Sequence, residues 1–226
     1  MILCIAPVLS GEALAIVRDG IAKARFRDGQ ETAGWHARPV KHNRQAEPSD
    51  VAEAASIVAA GLQAHPVFQS AVLPQRMSPI LFNRYEAGMD YGAHVDDAIM
   101  VSGPAASAGR LRSDVSITLF LDDPQSYEGG ELVIDSAGDE QPYKLPAGAC
   151  VLYPATHLHR VAPVTRGRRH AAVCWVQSLV RDAGQREVLF DLDTARRAVF
   201  EHQGKSETFD RLAKTYANLL RRWAEP

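Results

Sequence analysis

Apolar positions along this chain change period twice. Over residues 10–25, Ala13, Leu14, Val17 and Ile21 recur at helical spacing, with Ser10 standing where an N-cap would sit. A second helical stretch opens at Asp50, followed three residues later by Glu53 as in a capping box. It runs through Val51, Ala55, Val58 and Leu62, and Pro66 lies just beyond its predicted end. Between the two, residues 34–48 are polar and irregular and read as a surface loop. From about residue 78 to 178 the pattern shortens to β-type runs at 79–85, 115–121, 131–134, 150–153 and 169–176. Turn formers separate them: Asp122-Asp123-Pro124, Gly129-Gly130 and Gly148. Short strands with no helices between them predict a sandwich or barrel such as a jelly roll. Helical texture returns over residues 185–226. There Phe209, Leu212, Ala213, Tyr216, Leu219, Leu220 and Trp223 form one stripe, expected to pack on the β core or on a second subunit in a homo-oligomer.

The fold class is therefore mainly β with flanking helices. We divide it into an N-terminal helical flank (1–77), a β core (78–178) and a C-terminal helical extension (179–226). No repeat, low-complexity tract or Gly/Ser linker separates independent domains. Composition adds exclusions. With 46% hydrophobic and 23% charged residues the chain is neither disordered nor fibrous. Its 25 Lys and Arg against 27 Asp and Glu, a net charge of -2, give no general attraction to nucleic acid. Three cysteines with no CxxC pair argue against a disulfide framework and for a reducing compartment. Cys150 and Cys174 sit in apolar runs and read as small buried hydrophobes. The first residues lack a basic n-region and meet Pro7 early, unlike a signal peptide. No apolar run reaches the length of a membrane span. The expected location is cytoplasmic, with no membrane partner.

The chemistry begins at His94-Val95-Asp96. In an extended stretch, side chains two apart share a face, so an imidazole and a carboxylate would converge as ligands for a divalent metal. A lone His-x-Asp is common, and the competing reading is a surface histidine beside a solvated acidic pair, Asp96 and Asp97. His159, where a strand emerges from a Pro-containing turn, and Arg169, ten residues later, strengthen the metal reading. Two histidines and one carboxylate make a facial triad that leaves three coordination positions open. A 2-oxo acid with a second carboxylate would then need a cation at its far end, and arginine offers a planar two-pronged donor.

His-x-Asp, a later His and an Arg ten residues beyond it resemble the double-stranded β-helix (jelly roll) dioxygenases of the prolyl 4-hydroxylase type, and more closely the bacterial PKHD-type hydroxylases. The similarity runs through residues 40–45, 81–85, 94–99, 114–121, 127–134, 163–169 and 175–178. It implies Fe(II) held by His94, Asp96 and His159, with 2-oxoglutarate as co-substrate, its C5 carboxylate on Arg169. O2 is the oxidant and L-ascorbate an optional reductant that keeps the iron reduced. The implied reaction is hydroxylation of an unactivated C–H bond with release of succinate and CO2. Its substrate would be a prolyl or lysyl side chain, or a small molecule linked to iron acquisition. The chain departs from the family at His157, where serine or threonine is frequent.

Several residues have two readings. His157 and His159 share strand parity, so periodicity does not choose between them; the step to Arg169 favours His159. Arg169 shares parity with Ala171, Val173 and Trp175 and should face the interior, whereas Arg168 should face solvent. Tyr85 is either a donor to the co-substrate or an amphipathic core tyrosine. Asn83 and Thr118 lie on the expected sheet and are left undecided. Asp97 reads as structural or solvated; Arg84, Arg110 and Arg112 are either substrate contacts at the barrel mouth or, by default, solvated charge. Residues 99–112, rich in Gly, Ala and Ser, read as a mobile loop able to close over substrate. Two rivals stand beside the enzyme: a cupin-like iron or 2-oxoglutarate sensor that would have less need of Arg169, and a scaffold that works through its C-terminal helices.

Overall fold

The computed structural model describes residues 1–102, 109–136 and 138–226. Two facing antiparallel sheets form its centre. The larger runs in the order Leu3–Ile5, Cys150–Pro154, Val115–Phe120, Arg168–Ser178, Leu81–Glu86, Arg44–Ala46, Phe26–Asp28, with Pro74–Met77 also paired to Arg168–Ser178. The smaller runs Asp139–Tyr143, Leu132–Ser136, His159–Val161, Asp90–His94, Lys41–His42. This is the jelly-roll architecture that the pattern of short strands predicts.

The described residues also form five α-helices. They are α1 (Gly11–Lys23), α2 (Ala52–Ala64), α3 (Pro66–Val72), α4 (Ala183–Gln203) and α5 (Glu207–Trp223). Ser10 caps α1 by accepting from the Ala13 amide. The capping box predicted for α2 does not form. Asp50 closes a 3-10 turn, and its carboxylate takes the Arg25 guanidinium at 2.9 Å and the Arg25 amide at 3.0 Å. Pro66 does more than stop α2: it occupies the first turn of α3, where its missing N–H costs nothing.

Alternation in the central strand explains why the sheets divide the molecule into two environments. Val115, Ile117 and Leu119 point to the apolar side, packing with Val17, Ile21, Val58, Leu62 and Phe68 from the first three helices. Ser116 and Thr118 point the other way, into the space between the sheets. Phe120, Leu132, Ile134, Val151 and Tyr153 close one end of that space as a second apolar cluster. Cys150 and Cys174 are buried and free, as read from sequence, and burial pushes both thiols up.

Three readings need correction. The first 77 residues are not only helical; they also supply strands Leu3–Ile5, Phe26–Asp28, Lys41–His42, Arg44–Ala46 and Pro74–Met77. The supposed surface loop 34–48 therefore contains sheet, and Lys41, Asn43, Gln45 and Ala46 within it are buried. Ile99–Ser102 and Gly109–Arg112 pair as a two-stranded hairpin rather than forming one long loop; residues 103–108, the rest of the expected lid, lie outside the described residues. At the C-terminus, Tyr216, Leu219, Leu220 and Trp223 of the α5 stripe pack with Leu73, Val180 and Leu189. Among the described residues no helix is long and apolar enough to cross a membrane.

Candidate active site

His94 ends its strand in the smaller sheet, and its Cα lies opposite that of His159 on the neighbouring strand. Strand pairing, not sequence proximity, therefore brings the two imidazoles together, with ring centroids 4.3 Å apart. Each Nδ1–H donates to a backbone carbonyl two residues earlier: His94 to Gly92 at 2.8 Å and His159 to His157 at 3.0 Å. That pairing fixes the tautomer and leaves each Nε2 as the acceptor. Asp96 lies just past the strand rather than within it, so simple alternation does not place it. Its side chain is held by Ser116 in the larger sheet, whose hydroxyl donates to Asp96 Oδ2 at 2.5 Å. Asp96 Oδ1 stands 3.9 Å from His159 Nε2.

One donor atom from each of His94, Asp96 and His159 falls within 4.8 Å of the others. Two imidazoles and one carboxylate on one side of a point suit a divalent transition metal with open positions opposite. Protonation fits as well. Burial, then the neighbouring His159, lowers the His94 pKa to about 4 against the opposing pull of the Gly92 carbonyl and Asp96, so the ring is neutral near pH 7, as a ligand must be. Tyr91 stacks on His94 at 3.7 Å and Tyr153 meets His159 edge-on at 5.1 Å, limiting rotation of both rings.

The same cavity, about 450 Å³, reaches Arg169. Arg169 is 1% exposed, and its Nε and Nη2 have no hydrogen-bond partner among the described residues. Leaving two nitrogens of a buried guanidinium unpaired is costly, and an anionic ligand in the cavity would supply the missing partner. Tyr85, directly across the strand pair, and Phe120 flank it, with the guanidinium carbon 5.1 and 5.3 Å from their ring centroids. Gly130 makes this possible. Its φ of +70° favours glycine, and a Cβ there would come within 2.9 Å of Arg169 Cδ.

The sequence candidates therefore divide cleanly. His94, Asp96, His159, Arg169, Tyr85, Asn83 and Thr118 all line one cavity. Arg168 is exposed beside Glu86, as its parity requires. His157 lends its carbonyl to His159, is itself half-buried and is not among the residues lining the cavity. Asp97 is exposed at the rim. Arg112 is tied to Asp114 at 2.7 Å and Glu225 at 3.1 Å, and Arg84 covers Phe26 at 4.0 Å, so neither is merely a solvated charge. Sequence reading missed Ser116, Lys41 and Gln45. Ser116 was legible as a polar residue alternating with Val115 and Ile117. Lys41, Asn43 and Gln45 alternate with exposed His42 and Arg44, but an inward face that is itself polar leaves no hydropathy signal.

Comparison with known proteins agrees with this geometry. Residues 80–177 match the family model of the 2OG-Fe(II) oxygenase superfamily, and residues 183–225 match that of the PKHD-type hydroxylase C-terminal domain. A PKHD-type hydroxylase of Synechococcus elongatus is 52% identical over 227 residues, and one of Gloeothece citriformis is 50% identical over 226, each covering 100% of both chains. Among solved structures, a prolyl hydroxylase from Trichoplax adhaerens superimposes with a TM-score of 0.58 at 14% identity, covering 83% of this chain and 86% of its own. HygX from Streptomyces hygroscopicus, solved with nickel, 2-oxoglutarate and hygromycin B, gives 0.53 at 14% identity, with 79% and 84% covered. At such identities these two speak for the shared jelly-roll fold alone. Full-length identity to named relatives carries the family assignment: the chain belongs to the PKHD-type hydroxylases, enzymes of the 2OG-Fe(II) oxygenase superfamily.

Proposed function

We propose that this chain hydroxylates an unactivated C–H bond, with His94, Asp96 and His159 holding Fe(II) and Arg169 gripping the C5 carboxylate of 2-oxoglutarate. The observation that carries the proposal is one cavity with a His/Asp/His cluster and, elsewhere in its wall, a buried guanidinium with two nitrogens that have no partner among the described residues. When bound, the iron would supply activation of O2, one oxygen atom entering the substrate and the other entering succinate as 2-oxoglutarate loses CO2.

The chain's own residues do the rest. Arg169 sets the depth of the co-substrate through two parallel N–H donors, a geometry that lysine does not reproduce. Tyr85 walls the Arg169 end and presents its hydroxyl as a second donor to the co-substrate. Burial raises its pKa, so it remains a protonated donor. Ser116 holds Asp96 with one oxygen free for the metal. Apolar lining from Leu81, Leu132, Val161 and Val173 keeps bulk water out while the reaction proceeds. The family label points to a prolyl or lysyl side chain, and the family's association with iron acquisition points to a small molecule. Substrate screening begins with both, and ascorbate is included as reductant.

The test is succinate formation with Fe(II) and 2-oxoglutarate, in air and under nitrogen, together with calorimetric binding of 2-oxoglutarate. We expect oxygen-dependent turnover, and co-substrate binding that needs Arg169. A protein that binds iron but never 2-oxoglutarate would sink the dioxygenase reading in favour of a metal-binding module.

A further inference from the structure

A second cation in the cavity is assigned no role by the co-substrate. Lys41 is 5% exposed, lines the same cavity, and belongs to the edge strand Lys41–His42, whose partner strand carries Tyr91 and His94. Its ammonium lies over the Tyr91 ring, 5.3 Å from the centroid, and that ring stacks on His94. Lys41 is thus one ring away from the metal cluster. Among the described residues no carboxylate lies within ion-pair distance of it, and its Nζ makes one hydrogen bond, to Thr32 Oγ1 at 3.1 Å.

The bond leads into a chain that runs in one direction. The Thr32 hydroxyl donates to Gln45 Oε1 at 2.5 Å, and Gln45 Nε2 donates to Asn83 Oδ1 at 2.8 Å. Thr32, Gln45 and Asn83 all line the cavity. Every link uses its oxygen as acceptor on the Lys41 side, so the chain holds the ammonium in place but does not neutralise it. Two of the three ammonium N–H groups are left for something else. Burying a lysine without a counter-charge is expensive, and its pKa falls to about 8, through burial and against the pull of Asp96 and Asp28. The group therefore still carries its charge at neutral pH.

From the chain of donors, the burial and the missing counter-ion, we infer that Lys41 is the recognition point for a carboxylate of the primary substrate, placed beside the reacting carbon. A carboxylate fits better than a phosphate. One ammonium supplies one charge, and the remaining chain, Thr32, Gln45 and Asn83, is neutral. The inference rests on the assignment of 2-oxoglutarate to Arg169, which leaves Lys41 for the substrate.

Benzoate and its neutral isostere benzamide are suitable probes, since both fit the apolar lining and differ in charge. Zinc-loaded protein, saturated with 2-oxoglutarate so that Arg169 is engaged, is titrated with each and followed by NMR. We expect benzoate to bind about tenfold more tightly than benzamide, the size of one charge-assisted contact. Lys41→Met should erase that preference, Lys41→Arg should retain part of it, and both should keep 2-oxoglutarate affinity within about threefold of wild type. Equal binding of the two probes to wild type, or a preference that survives in Lys41→Met, overturns the inference. So does a loss of 2-oxoglutarate affinity in Lys41→Met, because it places Lys41 on the co-substrate. If Lys41→Met does not fold, Lys41→Gln answers the same question with a smaller change in polarity. Repeating the titration in metal-free Arg169→Met without 2-oxoglutarate separates the two readings: a benzoate preference there supports Lys41 even if the co-substrate assignment fails, and its absence overturns the inference.

Discussion

The metal cluster and Arg169 belong to one cavity and are prepared in opposite ways. At the His94, Asp96 and His159 cluster every polar atom not needed by a ligand is already tied within the protein. Both Nδ1 atoms donate to carbonyls and Asp96 Oδ2 accepts from Ser116. At Arg169 the reverse holds: two guanidinium nitrogens are buried without partners among the described residues, and aromatic rings and a glycine turn have cleared room around them. The first arrangement orients a site that stays assembled before its ligand arrives. The second leaves two N–H donors that an anionic ligand would meet. Such a division suits an enzyme that keeps its metal but exchanges its co-substrate at each turnover.

The sharpest way to break the comparison is Asp96→Ala. It removes the only carboxylate of the cluster and should abolish metal retention and oxygen-dependent succinate formation, a fall of about a thousandfold or more in line with loss of a catalytic group. Metal analysis of the purified variant checks it. Arg169→Met should act differently, raising half-saturation by 2-oxoglutarate about a hundredfold while metal content is unchanged, because truncating one side of a buried charge pair costs roughly 2–5 kcal/mol. The same variant should melt no lower than wild type without co-substrate, since an unpaired buried charge has gone, and should lose the melting rise that 2-oxoglutarate gives wild type. A lower melting point in Arg169→Met without co-substrate would show that Arg169 is structural and the contrast is wrong.

Smaller effects sharpen it. Ser116→Ala leaves all three ligands but frees Asp96 to rotate, so metal affinity should fall about tenfold to a hundredfold, as for other residues that orient a ligand. Competition with a chelator measures it. The smallest effect concerns stability. The Lys41 pKa is about 8 in the folded chain, below its ordinary value of 10.5, so between those values the unfolded chain binds more protons and stability rises with pH. Below pH 8 both states are protonated and the cost of burying the charge is fully present. From pH 8 to 10 wild type should gain roughly 1 kcal/mol per pH unit relative to Lys41→Met in urea unfolding. A constant difference between the two over that range would contradict the burial of this charge.

Much of this was legible from residue order. His-x-Asp, the later histidine and the arginine ten residues on named four of the cavity's residues, and strand parity turned Arg169 inward and Arg168 outward. The Ser10 cap, the stripe of α5 and the short strands of the core were equally readable, because each depends on neighbours close in sequence. What failed did so for stated reasons. Asp50 was a competent N-cap, but Arg25, 25 residues away, offered its carboxylate a stronger partner. Residues 41–46 looked like loop because their buried face is polar.

By itself, the order of residues determined which chemistry this chain carries: two imidazoles, a carboxylate and an inward arginine on short alternating strands. That information is local, written in period and spacing. Only the tertiary structure decided that His94 faces His159 across a strand pair, that Ser116 steadies Asp96, that Gly130 clears space for Arg169 and that Lys41 enters the same cavity. Those placements depend on which strands pair and in what register. Pairing of that kind is set by burial summed over the whole core, which no short stretch of sequence contains.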